Sequence, residues 1–182
     1  MIFFIFSKIN IICKKLNVMK KLILIRHGKS SWEMPLEDHE RPLTNKGIKN
    51  SNFIFEKIKK ELPERFLIWS STAKRAHDTA KIFNEVLNIP QELTVLKNDL
   101  YTFDSGSLTK SIRNCKDTVP SLIIFGHNNA ITDFVNTFGN KYIENVPTSG
   151  VVILEFEGES WDVIKNGKVI DTLFPKDLIN AN

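Results

Sequence analysis

The sequence predicts an α/β fold, a three-layer sandwich with a mostly parallel central sheet flanked by helices and antiparallel strands at its C-terminal edge. Two observations predict most of it. Short apolar runs of strand length alternate with amphipathic stretches of helical spacing, the order that builds a parallel sheet covered on both faces. The last third then changes to strands joined by turns. A chain of 182 residues, 42% hydrophobic, is long enough for one substantial core.

The elements follow in order. Lys21–Ile25 is the first strand. A polar loop runs to Pro42, and Thr44 is placed to cap a helix over 45–61, with Ile48, Phe55, Ile58 and Leu62 on one face. "FLIWSS" is the second strand, Phe66–Ser71. Ala73, Ala76, Ala80, Phe83 and Leu87 mark a helix that ends near Asn88, with Pro90 just beyond. "LTVL" reads as a short third strand, and a helix falls within 105–116. "SLIIFG" is the fourth strand, and "AITDFVNTF" the helix after it. In "GVVILEFEGESWDVIKNGKVIDTLF", "KNGK" signals a hairpin turn.

Open sheets of this kind bind ligands beyond the carboxyl ends of their strands. Polar residues gather there. The first strand runs into Arg26, His27 and Gly28. The second ends in Ser70 and Ser71, with Arg75 in the opening turn of the next helix. The fourth exits through His127 and Asn128. Parallel strands would bring two arginines and two histidines to one pocket, at helix N-termini that also favour anions.

Taken singly, each is an ordinary residue: a loop histidine, a surface arginine. Together they suit a phosphoryl group. The guanidinium fork matches phosphate oxygens, and a neutral imidazole can attack phosphorus. A metal site fits less well, because Arg26 adjoins a would-be ligand and no HxH or HExxH spacing occurs. No metal and no cofactor are therefore expected.

These residues carry a resemblance. The sequence resembles the histidine phosphatase, or phosphoglycerate mutase-like, superfamily in "RHG", in "SSTAKRAHDTA" and in "IIFGHNNAITD". It is most similar to the phosphohistidine phosphatase branch, through "RHGKSSWEMPLEDHERPLTNKG" and "VPTSGVVILEFEGESW". The resemblance spans about residues 20–162. It implies that His27 is a nucleophile that becomes phosphorylated. Arg26 and Arg75 would clamp the phosphoryl oxygens, His127 would stabilise transition-state charge, and Ser30 would add a hydroxyl contact. Two positions depart from the wider superfamily: Lys29 stands where many members have Glu, and Thr72 where proline is common.

A proton donor is harder to find. Asp104 lies in the corresponding segment and Glu40 in the loop before "RPLT"; each also reads as an ordinary surface carboxylate. His77 shares a helix face with Ala73 and Ala80, so packing is its expected role. His39 lies in a polar loop, with solvent exposure expected and the pocket mouth within reach. The loop 32–42 and the segment 101–106 should wall a shallow, open cleft.

The expected activity is that of a metal-independent phosphatase with a phosphohistidine intermediate, acting on phosphohistidine in proteins. The chain lacks long insertions to enclose a small metabolite. Two alternatives stand beside it: a phosphatase or mutase for small phosphate esters, and a non-catalytic phosphoprotein-binding module. The partner is thus a phosphorylated protein or a small phosphorylated molecule. The net charge of +4 mildly favours anions. Nucleic acid is not expected, since no basic-aromatic platform accompanies the charge. Cys13 and Cys115 have no CxxC spacing, which fits a reducing cytoplasm.

Residues 1–18 read as an extension, disordered or upstream of the native start at Met19, with a single domain over 19–182. The apolar run at 2–6 is short for a bilayer, which takes about 20 residues, so no membrane association is expected.

Overall fold

A computed structural model describes residues 19–179. The expectations for 1–18, and Cys13 with them, lie outside the described residues. Strand β1 (Met19–Arg26) enters the centre of a six-stranded sheet. Helix α1 (Asn45–Ile58) follows, its N-terminus capped by the Thr44 hydroxyl, which accepts from the Gly47 amide. Then come β2 (Leu67–Ser71), α2 (Lys74–Leu87), β3 (Thr94–Lys97) and α3 (Ser105–Arg113). The chain closes with β4 (Ser121–Gly126), α4 (Ala130–Phe138), β5 (Val151–Glu157), β6 (Lys168–Leu173) and the short α5 (Pro175–Ile179).

The strand order is β3-β2-β4-β1-β5-β6. The first four in that order run parallel, while β5 is antiparallel to β1 and β6 to β5. Alternation along the strands divides the core into two layers. Leu22, Leu24, Leu122 and Ile124 pack with α3 and α4 through Leu108, Ile112, Ile131 and Phe134. Ile23, Ile25, Ile123 and Phe125 face α1 and α2, against Ile54, Phe55, Ile58 and Phe83. On that side, the rings of Phe55, Phe83 and Phe125 meet edge to face. The three-layer α/β sandwich expected from the sequence is the one formed.

Two details differ. The segment before "KNGK" is not a strand. Residues 158–167 form a long connection in which the buried Trp161 donates its indole N–H to the Val119 carbonyl (2.8 Å) and its amide to Asp117 (2.8 Å). Burying that ring overrides the hairpin signal. Gly167 is there for a close approach, since a Cβ would sit 2.4 Å from the Phe156 ring. The five-residue α5 was not expected from the sequence.

The register places the site. Arg26 of β1 pairs with Gly126 of β4, and Ser70 of β2 with Phe125. The residues that follow each strand therefore leave the sheet side by side.

Candidate active site

His27 and His127 follow the paired residues Arg26 and Gly126 on adjacent strands, so their rings stand 5.1 Å apart, centroid to centroid. Both are buried, at 8% and 1% exposure. Between them lies the guanidinium of Arg75, itself 2% exposed, from the first turn of α2. Arg75 Nε–H donates to His27 Nε2 (3.2 Å), and Nη2 donates to His127 Nδ1 (3.3 Å).

These bonds fix both tautomers. An arginine only donates, so each nitrogen facing Arg75 carries a lone pair. His27 therefore holds its proton on Nδ1 and gives it to its neighbour's carbonyl, Gly28 O, at 2.7 Å. His127 holds its proton on Nε2 and gives it to Ser71 Oγ at 2.8 Å. Burial is the main reason both rings stay neutral, and nearby positive charge adds to it. His27 is pushed down to about 3, with Arg75, Arg26 and Arg41 adding to the desolvation. His127 is pushed down to about 2 by burial, with His27 and Arg75 beside it. At neutral pH, His27 Nε2 is an unprotonated nitrogen next to a guanidinium, the arrangement an attack on an anionic phosphorus requires.

Arg26, at the end of β1, is close enough for its charge to lower the pKa of both histidines, though it bonds to neither. Its Nη1 donates to the Val146 carbonyl (2.8 Å), and its Nε is buried with no partner among the described residues. The Ser30 hydroxyl accepts from Arg41 Nη2, and its backbone bridges to Leu43. Accepting that bond leaves the Ser30 O–H to donate elsewhere, so this geometry permits the hydroxyl contact expected of it.

The loop contributes what the sequence reading missed. Asp38 accepts from Arg75 Nη2 (2.9 Å), Arg41 Nη1 (2.7 Å) and the Tyr101 hydroxyl (2.6 Å), and its carbonyl accepts from Arg75 Nη1. Burial would raise this carboxyl, but the Tyr101 bond and the two arginines outweigh it and hold it below the usual range. The Arg41 guanidinium also lies 3.3 Å above the Trp32 ring. The signal for Asp38 and Arg41 was their place in "EDHERPLT", a run of charge too polar for an idle loop.

Neither proton-donor candidate is hydrogen-bonded to His27 or His127. Asp104 is the N-cap of α3, accepting from the Ser107 amide at 2.7 Å. That bond holds its carboxyl down, the opposite of what a general acid needs, and Asp104 here serves as a cap. Glu40 is exposed and bonded to His39 Nδ1 (2.8 Å). His39 does reach the mouth, with Nε2 against Thr72 Oγ1 (3.1 Å) and its ring edge on Tyr101. His77 is half-buried on α2.

The expected walls meet at this rim, His39 from the loop and Tyr101 from the segment 101–106, 5.1 Å between centroids. Between these walls, Asp38 is drawn onto Arg75. The surface hollow lined by Ser31, Met34, Leu36 and Leu43 lies beside the site and includes neither histidine. Among the described residues, no group of three or more His, Cys, Asp or Glu could hold a metal ion. No helix among them is long and apolar enough to cross a membrane.

Several known proteins resemble this chain in sequence or in fold. Residues 22–110 match the model of the histidine phosphatase superfamily (branch 1). An uncharacterized protein of Mycobacterium tuberculosis is 26% identical over 149 residues, covering 76% of this chain and 91% of that one. An uncharacterized chloroplastic protein of Arabidopsis thaliana is 25% identical over 158 residues, 80% of this chain and 71% of that one. Among solved structures, the protein histidine phosphatase SixA complexed with tungstate superposes with a TM-score of 0.72 at 20% identity, over 87% of this chain and 99% of that one. A putative phosphohistidine phosphatase SixA from Nakamurella multipartitia gives a TM-score of 0.71 at 16% identity, over 86% and 96%. At such identities these two structures show the shared fold.

Proposed function

The chain belongs to the histidine phosphatase superfamily, and from that premise we propose that it is a metal-independent phosphatase whose favoured substrate is phosphohistidine on proteins. One observation carries the reading. Arg75 donates to lone pairs on both buried histidines at once, at 3.2 and 3.3 Å, so neither facing nitrogen carries a proton of its own, and the Arg75 Nε–H turns from His27 Nε2 to a phosphoryl oxygen when the substrate enters.

The reaction runs in two displacements. His27 Nε2 attacks phosphorus in line with the leaving group. The Nε2–P bond forms as the substrate P–N bond breaks, and the departing imidazole nitrogen keeps the electron pair and takes a proton from solvent. Water then attacks the phosphorylated His27. The Nε2–P bond breaks, inorganic phosphate leaves, and His27 regains its lone pair. Arg75 and Arg26 neutralise the phosphoryl oxygens throughout, and His127, whose one N–H is given to Ser71, acts on the same charge by holding the Arg75 guanidinium in place through Nδ1. The Gly28 carbonyl holds the His27 ring through Nδ1, so the ring does not reorient between steps.

The substrate class rests on the absence, among the described residues, of a carboxyl hydrogen-bonded to either buried histidine. An alkyl ester leaves as an alkoxide and needs a donor with a raised pKa. Asp104 and Asp38 are both held low instead. An imidazole leaving group takes its proton more easily and depends less on such a group. Support for protein phosphohistidine also comes from the structural similarity to a protein histidine phosphatase.

The test is turnover of a phosphohistidine protein, a phosphoserine peptide and a panel of sugar phosphates by the purified chain. The phosphohistidine protein should have by far the highest kcat/KM, and an acid-labile phosphoryl label should appear on the enzyme but not on His27→Ala. Equal efficiency on a sugar phosphate overturns the substrate class. Full activity of His27→Ala overturns the intermediate.

A further inference from the structure

One side of His127 is crowded by rings that the phosphoryl chemistry does not use. Tyr101 and Phe103 each stand 5.4 Å from the His127 ring, centroid to centroid, and 5.7 Å from one another. His39, from the opposite wall, meets Tyr101 edge-on at 5.1 Å. The Tyr101 ring is anchored, since its hydroxyl is held by Asp38. Phe103 has no polar atom, and it is 51% exposed beside a histidine exposed by only 1%. A single exposed ring is ordinary on a protein surface. Three rings converging on one mouth, two of them from one short segment and one from the facing loop, are a different case.

The other sides of His27 are taken. Its Nδ1 faces the Gly28 carbonyl and its own carbonyl accepts from the Ser149 amide, which leaves Nε2, on the Arg75 side, as the reacting nitrogen. A leaving group opposite Nε2 departs through the mouth that these rings border. We infer that Tyr101, Phe103 and His39 form a subsite for a flat ring carried on the phosphoryl group, an imidazole or another planar π-system. This deepens the proposed function and rests on it. Aromatic pairs favour offset or edge-to-face contact at centroid separations of about 4.5–7 Å, the spacing already present among these rings. A sugar or an alkyl chain offers no such face. Phe103, free of any polar anchor, sets the preference, while Tyr101 and His39 hold the rim's shape.

The test separates ring recognition from turnover. Phenylphosphonate and methylphosphonate carry the same anionic group on a P–C bond that is not displaced, so leaving-group reactivity does not enter. Calorimetry on the full chain should show phenylphosphonate binding about tenfold tighter, the advantage expected of one good aromatic contact. Cyclohexylphosphonate, similar in bulk but not planar, should bind distinctly less tightly than the phenyl compound. Phe103→Ala should remove most of the phenyl advantage and leave methylphosphonate affinity unchanged, and Phe103→Trp should restore it. Equal binding of the phenyl and cyclohexyl compounds overturns the subsite, as does a phenyl advantage that survives Phe103→Ala. Failure of all three phosphonates to bind counts against the anion clamp itself, and the subsite falls with it.

Discussion

Arg75 uses all three guanidinium nitrogens, Nε to His27, Nη2 to both His127 and the Asp38 carboxylate, and Nη1 to the Asp38 carbonyl, so its shape matters as much as its charge. A lysine has one ammonium and cannot span both rings in one plane. Arg75→Lys is expected to lower kcat by about 10²–10³, the usual cost of losing a preorganised transition-state donor. Steady-state kinetics on the phosphohistidine protein check it, and a variant within threefold of wild type would place Arg75 outside the chemistry. The histidines also make a pH prediction. His127 is held down to about 2 in the fold, against an ordinary value near 6.5 when unfolded. The unfolded chain therefore takes up the proton first. Stability supplied by the neutral ring is complete above about 6.5 and is lost as pH falls through that window toward 2. Urea unfolding at pH 7, 5.5 and 4.5 should show a steeper decline for wild type than for His127→Gln. The difference should approach about 1.4 kcal/mol per pH unit below 6.5. Parallel slopes would contradict the neutral buried ring.

At the scale of the element, α1 is seated against the loop that leaves β1. A Cβ on Gly47 would lie 2.3 Å from the Lys29 carbonyl oxygen and 2.8 Å from its amide nitrogen, so only glycine lets the helix come this close. Thr44 fixes the same junction, its amide and its hydroxyl both donating to the Lys29 carbonyl. Gly47→Ala is expected to push α1 from the strand exit, costing about 1–3 kcal/mol and displacing His27, so activity should fall along with the thermal midpoint. Unchanged kinetics would show that the junction does not position the histidine. The cap of α3 predicts the reverse pattern. Asp104→Asn keeps a capping oxygen and removes the carboxylic acid. Turnover of phosphohistidine should fall less than tenfold and stability should hardly change, whereas a collapse of turnover would make Asp104 the acid despite its cap.

For the whole molecule, the electrostatics come from protein groups at three strand ends. Two guanidiniums and two neutral imidazoles converge where β1, β2 and β4 stop, and Arg41 supports them through Asp38. Activity should therefore persist in excess chelator, measured on the phosphohistidine protein after exhaustive dialysis. Loss of activity that a single divalent metal restores would turn the reading toward a metallophosphatase. Cys115 is buried and its thiol is pushed up to about 11 by that burial, so mild alkylation at neutral pH should leave activity intact.

The sequence alone determined the layers, the strand order along the chain and the strand ends at which Arg26, His27, Arg75 and His127 stand. Those follow from local periodicity and from the rule that parallel sheets collect ligands at their carboxyl edge. It also marked Thr44 as a cap, because capping is a contact across three residues. Contacts between segments distant in the chain were decided only by the tertiary structure. Asp38 and Tyr101 lie 63 residues apart, yet share a hydrogen bond that brings a loop carboxylate onto Arg75. Asp104 caps the first turn of α3, and Ser30 accepts from Arg41 of the neighbouring loop. "KNGK" looked like a tight hairpin until the buried Trp161 lengthened the connection. In each case a polar or aromatic group found a partner that local pattern does not encode, because hydrogen-bond satisfaction and ring burial depend on three-dimensional proximity.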